Sequence, residues 1–447
     1  MWAQRWLGFL LVFSVSCEAP FLSPGATAGA SGENELPAGG GKAGNGSGAR
    51  SGAETRPGDS GGGGNAHGGS ESGGGESGGG ESGGGDVGGS ASHVESCNEL
   101  ASAGVFEDIT PPEVKAGLGE VSPTGDLRDG PFSLEVDPIH HGVYYVGTHH
   151  QGLWKTADCG STWSAVATGK NADGINRGIN WTLGIDHQTP STLYTSSAYA
   201  MNGLFKSTDG GVSWTDVWSA VTQPELASAF EYGFVNQLVV DPRDSRHLLL
   251  TMHENCKPPH STSCVLESED AGDTWSLHEG DSSWEPDQGL TIQFLDGAST
   301  WLTGSQSNGV WRTSDAGETW SHLKDMATTA QQGIALVRTE DGTFYLGGSD
   351  GIWRSPDGAL DSWVFVPDTG PFVSGLATDG KAVYASTCYA KSYCEQPRYL
   401  RSVDGQSWKP LPNVPPLTQG GLLRYDAGHR LLVSSNGSAG VWRVVVP

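Results

Sequence analysis

From residue 132 onward, apolar and polar positions alternate in short runs, grouped in threes. The first group is 132–136 (FSLEV), 143–146 (VYYV) and 152–155 (GLWK); a later one is 333–337 (GIALV), 343–346 (TFYL) and 351–354 (GIWR). A period of two sends successive side chains to opposite faces, so each run predicts a half-buried strand. A last group, 422–425 (LLRY), 430–434 (RLLVS) and 440–444 (GVWRV), ends the chain without a fourth run. Residues 104–110 (GVFEDIT), ahead of the first group, resemble the run that follows the third strand elsewhere. They are expected to supply the missing strand, which would close the set and leave no open sheet edge.

Between the third and fourth runs lies a repeated segment. Four copies are uninterrupted: 156–163 (TADCGSTW), 207–214 (STDGGVSW), 268–275 (SEDAGDTW) and 313–320 (TSDAGETW). Two more, 355–363 (SPDGALDSW) and 402–408 (SVDGQSW), carry one residue too many and one too few. Asp158, Asp209, Asp270, Asp315, Asp357 and Asp404 recur at about 49-residue intervals, the length of one four-stranded unit. Such a segment reads as a hairpin turn in which the carboxylate accepts backbone N–H groups, Gly takes a positive φ and Trp opens the next strand. Six near-copies doing one structural task are expected to be scaffold rather than catalytic acids or metal ligands.

This segment resembles the Asp-box of the BNR-type, sialidase-like propellers. The resemblance implies an all-β, seven-bladed β-propeller over residues 96–447, closed by the N-terminal strand. It also implies that the Asp turns lie on one face of the ring and that ligands bind on the other, where second-to-third-strand and blade-to-blade loops converge.

Composition changes the picture upstream. Of 447 residues 68 are Gly and only 36% are hydrophobic, and the imbalance is concentrated in 18–95, a Gly/Ser/Glu-rich stretch that includes three ESGGG repeats. Such a segment buries too little apolar surface to offset its conformational entropy and reads as a disordered tether. Residues 1–17 form a short apolar run behind Arg5, which reads as an export signal. Cys17 at its end resembles the bacterial lipoprotein cleavage site, although Ser14 stands where that family places Leu or Val; the alternative is ordinary cleavage nearby. Location at a cell surface or in the periplasm follows, lipid-anchored or secreted.

A net charge of −26 and a pI near 4.7 argue against nucleic acid and against anionic membranes as partners, leaving a lipid anchor as the one membrane link. Six cysteines remain beyond Cys17. Cys256 with Cys264, and Cys388 with Cys394, each bracket a loop and are read as local disulfides. Cys97 and Cys159 pair if the start of the domain lies beside the first blade. No CxxC or Cys/His spacing points to a metal, and no cofactor is expected.

Candidate chemistry gathers in the loops of the first three blades. His149, His253, Tyr199 and Glu231 are candidate catalytic residues; His150, Asn176, Arg177, Trp181, Tyr232, Glu254 and, from a later blade, Arg398 are candidate ligand contacts. A sialidase is not expected, because 132–135 (FSLE) stands where that family carries an arginine-bearing strand, and Glu231 and Tyr232, if on a strand, point apart. A polysaccharide lyase would use a cation such as Arg177 with His149, His253 or Tyr199 to move a proton. A glycoside hydrolase of the kind found among xyloglucan-degrading propellers would need facing acids such as Glu231, Asp173 or Glu254. The alternative is a non-catalytic binding or assembly module resembling the sortilin and photosystem-assembly propellers, with a protein partner in place of a glycan.

Overall fold

The computed structural model describes residues 97, 99–120, 130–281, 284, 290–305, 309–325, 335–387, 397–417 and 421–447. The export signal, Cys17, the Gly-rich segment and the Cys388/Cys394 loop lie outside the described residues. The described chain forms seven four-stranded antiparallel sheets. The first blade runs Pro131–Val136, Tyr144–Thr148, Leu153–Thr156 and Ser164–Ala165 from axis to rim. Blades two to six repeat that order in sequence.

The seventh sheet is assembled from both ends of the domain. Its inner strands are Leu422–Asp426, Leu431–Ser435 and Val441–Val445, and its outer strand is Phe106–Asp108. The register pairs Phe106 with Val444 and Asp108 with Trp442. Hydrogen bonds of 2.9 Å from Gly104 N to Val445 O and from Ile109 N to Val441 O extend the pairing at both ends.

Alternation along the strands fills the spaces between blades. Val143, Tyr145 and Leu153 of the first blade bury against Leu183, Ile185, Leu193 and Phe205 of the second. Leu134, Tyr144 and Val146 pack in the same way against Leu431, Val433 and Val441 of the seventh. The core is therefore a set of wedges, each shared by two neighbouring sheets.

The Asp turns are built alike. In the first, Asp158 Oδ1 accepts Thr162 N at 2.8 Å and the Thr156 hydroxyl at 2.7 Å, and Oδ2 accepts the Thr162 hydroxyl at 2.6 Å. Asp209, Asp270 and Asp315 take the corresponding backbone N–H from Ser213, Thr274 and Thr319. Two successive residues have positive φ, as in Cys159 (60°) and Gly160 (92°), the pattern of a type I′ hairpin turn. In the shortened sixth copy, Asp404 accepts Gln406 N and Ser407 N instead, and these bonds hold its carboxyl well below the usual range. Asp357, in the lengthened copy, accepts Ala359 N at 3.0 Å.

A second repeated aspartate, not singled out from the sequence, caps the hairpin between first and second strands. Asp137, Asp186, Asp241, Asp379 and Asp426 each accept a backbone N–H two residues on, from Ile139, Gln188, Arg243, Lys381 and Gly428. The signal was present as an aspartate ending five of the seven inner strands. Its spacing from the next apolar run varies, which hid it.

Three expectations change. The strand expected at 333–337 is Leu336–Arg338 among the described residues. The link between the first two blades contains a helix, Ala172–Arg177, which carries Asn176 and Arg177. Glu231 and Tyr232 lie in a loop ahead of the strand Val235–Asp241, so strand alternation does not separate their side chains. The Tyr232 phenol instead hydrogen-bonds to Glu231, which raises its pKa.

Junctions between blades differ in polarity. At the join of the seventh and first blades, Arg424 donates to both oxygens of Glu135 at 3.0 and 2.6 Å. Buried Asp426 accepts Gly142 N at 2.9 Å and the Tyr144 hydroxyl at 2.8 Å, with His429 Nδ1 at 3.0 Å and His141 Nδ1 at 3.1 Å. Cys97 and Cys159 form a disulfide here, and Arg443 donates to Cys159 O at 2.7 Å. Between blades three and four, Glu267 is held by His247 and His278, each at 2.8 Å. The residue just before the Ser or Thr that opens the turn is basic in the other blades with an Asp turn (Lys155, Lys206, Arg312, Arg354, Arg401) and acidic only here.

Candidate functional site

Strand direction fixes which end of the ring carries the candidates. With the Asp turns between third and fourth strands at one end, the second-to-third-strand and blade-to-blade loops must emerge at the other. His149, His150, the helix Ala172–Arg177, Tyr199, residues 231–234 and His253–Glu254 all occupy such loops.

Backbone ladders stitch these loops together. His149 bridges to Ile179 and Ile179 to Ala198, so the loops of the first two blades share a short antiparallel seam. His150, with φ of 64°, is buried, and its Nδ1 lies 2.6 Å from Arg177 O. Asn176 donates to Ala167 O at 2.9 Å, and Asn180, fully buried, donates to Ile175 O and Ser196 O. His150, Asn176 and Asn180 therefore hold loop backbone.

Two aromatic groups are carried on this frame. In one, rings run His150, His149, Phe132, Trp181, His253, with centroid separations of 4.6, 5.3, 5.4 and 5.6 Å. In the other, Phe234 lies 4.6 Å from Tyr199 and 5.8 Å from Tyr232. Tyr199 and Tyr232 are each about half exposed, at 50% and 49%. Rings this open, held by neighbours rather than by a core, suit stacking against a flat apolar ligand face.

Glu254 organises the third blade's share. Its carboxylate accepts the backbone N–H groups of Tyr232 (2.9 Å), Gly233 (2.5 Å) and Phe234 (3.4 Å). Burial nevertheless pushes its pKa up, with nearby Glu231 adding to the effect. His253 N donates to Phe234 O at 2.8 Å, and burial lowers the pKa of its ring, which is neutral at neutral pH. The disulfide Cys256–Cys264 closes the loop immediately beyond.

The arginines are committed elsewhere. Arg177 pairs with Asp173 one helical turn back, both side chains being largely exposed. Arg398 donates to the backbone carbonyls of Gly370 and Asp368, so it braces the loop after the fifth blade and stands apart from the first-three-blade cluster.

A cavity of about 540 Å³ runs along the axis, lined by the inner strands and bordered by Glu135, Trp181, Gln237, Gln293 and Arg424. Trp181 is the sequence candidate that reaches it. Its charged wall, Glu135 with Arg424, is already paired, and Gln237 Oε1 accepts Ile292 N at 2.8 Å. An axial channel follows from seven strands meeting at an axis, whereas the aromatic loops do not follow from the repeat. The loop face is the stronger candidate.

No family profile matches the chain. A xyloglucanase of a Paenibacillus species is 33% identical over 101 residues, 19% of this chain and 10% of that protein. A probable oligoxyloglucan-reducing end-specific xyloglucanase of Neosartorya fischeri is 31% identical over 90 residues, 20% of this chain and 11% of that one. The chain thus spans about a tenth of the curated relatives it matches. Among solved structures, a GH74 enzyme of Niastella koreensis superposes with a TM-score of 0.52 at 18% identity, over 73% of this chain and 53% of that one. The GH74 xyloglucanase of Xanthomonas campestris gives 0.51 at 16%, over 76% and 53%. YCF48 from Cyanidioschyzon merolae gives 0.50 at 13%, over 77% and 99%. At these identities the likeness is one of fold: the chain is an all-β, seven-bladed propeller with xyloglucanase-like neighbours.

Proposed function

We propose that the loop face of blades one to three binds an extracellular glycan chain and that the protein is a glycoside hydrolase acting on it. The observation that carries this reading is the pair of aromatic groups, Trp181 with His253 and Tyr199 with Phe234 and Tyr232, beside the carboxylate of Glu231. Pyranose rings offer apolar faces that stack on such side chains while their hydroxyls reach polar neighbours. Short local likeness to xyloglucanases supports the same substrate class.

Hydrolysis fits the residues better than elimination does. A lyase must neutralise a uronate carboxylate, and both candidate arginines are engaged, Arg177 by Asp173 and Arg398 by backbone carbonyls. An acidic protein with no uncommitted cation among these candidates favours a neutral glycan. Hydrolysis needs a proton donor and a second carboxylate across the scissile bond. Glu231 is the exposed carboxylate of the third-blade loop and Asp173 that of the first-to-second-blade link; Glu254 positions the loop through its three N–H contacts. In this reading His149, His253 and Tyr199 shape the sugar subsites rather than move protons, and His150, Asn176 and Trp181 hold the walls.

The test is incubation with a panel of neutral and acidic polysaccharides, reading new reducing ends and the absorbance of unsaturated uronates. Reducing ends from a neutral substrate, absent in Glu231→Gln, are expected; unsaturated products would replace the reading with a lyase. Binding without cleavage would favour a non-catalytic module, a reading to which the fold likeness to YCF48 bound to a peptide lends weight. Export, with Cys17 lipidated and 18–95 as the tether, accords with an extracellular substrate. Metabolic labelling with a fatty acid, compared between wild type and Cys17→Ser, tests the anchor.

A further inference from the structure

The axial channel carries polar groups that the repeat does not require. One rung of the ladder between first and second strands recurs in every sheet, with Tyr145 as the second-strand partner in the first blade and Tyr194 in the second. On this rung four blades place small or aliphatic inner-strand residues, Gly184, Val239, Val337 and Ala377. The other three place Glu135, Gln293 and Arg424 there. Blades follow one another around the ring, so Gln293 of the fourth stands across the channel from Glu135 and Arg424 at the seventh-to-first junction. All three border the cavity of about 540 Å³, and a neighbouring one of about 290 Å³ shares Gln293 and Arg424 with it. Pockets for small organic ligands span about 300–1,000 Å³.

Pairing of the two charges decides which ligand fits. Arg424 gives Nε and Nη2 to the two oxygens of Glu135 and Nη1 to Leu423 O. These bonds occupy three of about five guanidinium N–H groups and two of roughly four carboxylate lone-pair sites. Both side chains stay partly exposed, at 34% and 15%. The pair is neutral as a whole, and it sets donors and acceptors side by side opposite an amide that has both. Hydroxyl groups, which donate and accept, match that arrangement better than an ion does.

Trp181 links the channel to the loop face. It borders the cavity and lies 5.4 Å from Phe132 and 5.6 Å from His253 in the aromatic line described above. Ser133 and Thr182 border the cavity at this end, and Asp137 and Asp379 at the turn end.

We propose that the axial channel is a second carbohydrate site, which receives the end of a neutral glycan chain entering past Trp181 and bonds its hydroxyls through Gln293, Arg424 and Glu135. The inference rests on the glycan reading of the loop face and adds to it that the protein engages chain ends.

The test uses the full chain with cellotetraose, xylotetraose and mannotetraose as neutral probes, read by calorimetry. Binding of at least one is expected, weakened about tenfold in Gln293→Leu. A larger loss is expected in the double variant Glu135→Gln/Arg424→Met, which removes the pair without stranding a charge. Unchanged affinity in both variants would overturn the channel site and leave the loop-face reading in place. Absence of binding by all three probes also overturns it, and release of reducing ends from polysaccharides then decides the wider reading separately. On a polysaccharide that the protein cleaves, short products released while viscosity holds are expected; an early fall in viscosity overturns the proposal but not hydrolysis. Should the variants not fold, photo-crosslinking of the wild type decides. A probe with a diazirine at one end should label the peptides that contain Gln293 or Arg424, and labels confined to the loops between 149 and 254 overturn the site.

Discussion

At one end of the ring, Asp158, Asp209, Asp270 and Asp315 make the same bonds to equivalent partners. At the other end, His149, Tyr199 and His253 fill equivalent loops of three successive blades, yet each has different neighbours: Phe132 for the first, Phe234 for the second, Trp181 for the third. The turn end closes six of the seven sheets with a hairpin and, in the four full copies, leaves little room to vary, because the bonds of the carboxylate recur. Loops at the opposite end carry no such duty. They are free to differ in length and content, and chemistry collects where the repeat makes no demand.

Substitutions can sharpen or break that contrast. The largest effect is expected on the turn side, at Glu267, where burial alone would raise the pKa but bonds from His247 and His278 hold it at about 2. Its ordinary value is 4.5, so the stabilisation is fully present above that pH and is lost as pH falls toward 2. Glu267→Ala should cost about 3–5 kcal/mol by leaving the buried His247 and the partly buried His278 without their shared acceptor, read as a shift in urea midpoint at pH 7. Acid titration of the wild type should begin to unfold it below about pH 4.5, and the variant should lack that part of the dependence.

Next in size is Glu231→Gln, expected to lower hydrolysis of a responsive glycan by about 10²–10⁴-fold with little change in unfolding midpoint. A parallel loss of stability would mean that Glu231 is scaffold and that the two ends are less distinct than described. Asp270→Ala should destabilise by about 1–2 kcal/mol through its lost N–H and hydroxyl bonds while leaving glycan affinity unchanged. The smallest effect is expected from Trp181→Ala, which should weaken glycan binding by about 1 kcal/mol in calorimetry, with catalysis per bound chain preserved.

The same contrast explains what could be read in advance. Six Asp turns announce themselves because each needs a carboxylate, a glycine and a tryptophan within eight residues, and local bonding fixes all three. The strand Phe106–Asp108 was visible for a related reason: the last group lacked a fourth run, and 104–110 had the right alternation. Cys256–Cys264 followed from proximity along the chain. The helix Ala172–Arg177 was not visible, being only six residues long and starting at Asn171 with a left-handed backbone and no side-chain cap. Nor was the role of Glu254, whose three bonds are to backbone groups 20 to 22 residues away. The hub at Asp426 draws Gly142 and Tyr144 from more than 280 residues earlier, a distance over which no local pattern speaks.

One consequence follows from Cys97 lying nine residues ahead of the strand that completes the seventh sheet, covalently fixed to Cys159 in the first. A pulling force applied upstream of Cys97 meets a covalent bond into the first sheet before it reaches the three paired residues Phe106–Asp108. The cross-link thus takes the tension, and the short strand, which would otherwise peel first, is shielded. Reduction should therefore lower the force at which the wheel opens far more than it lowers resistance to heat or urea.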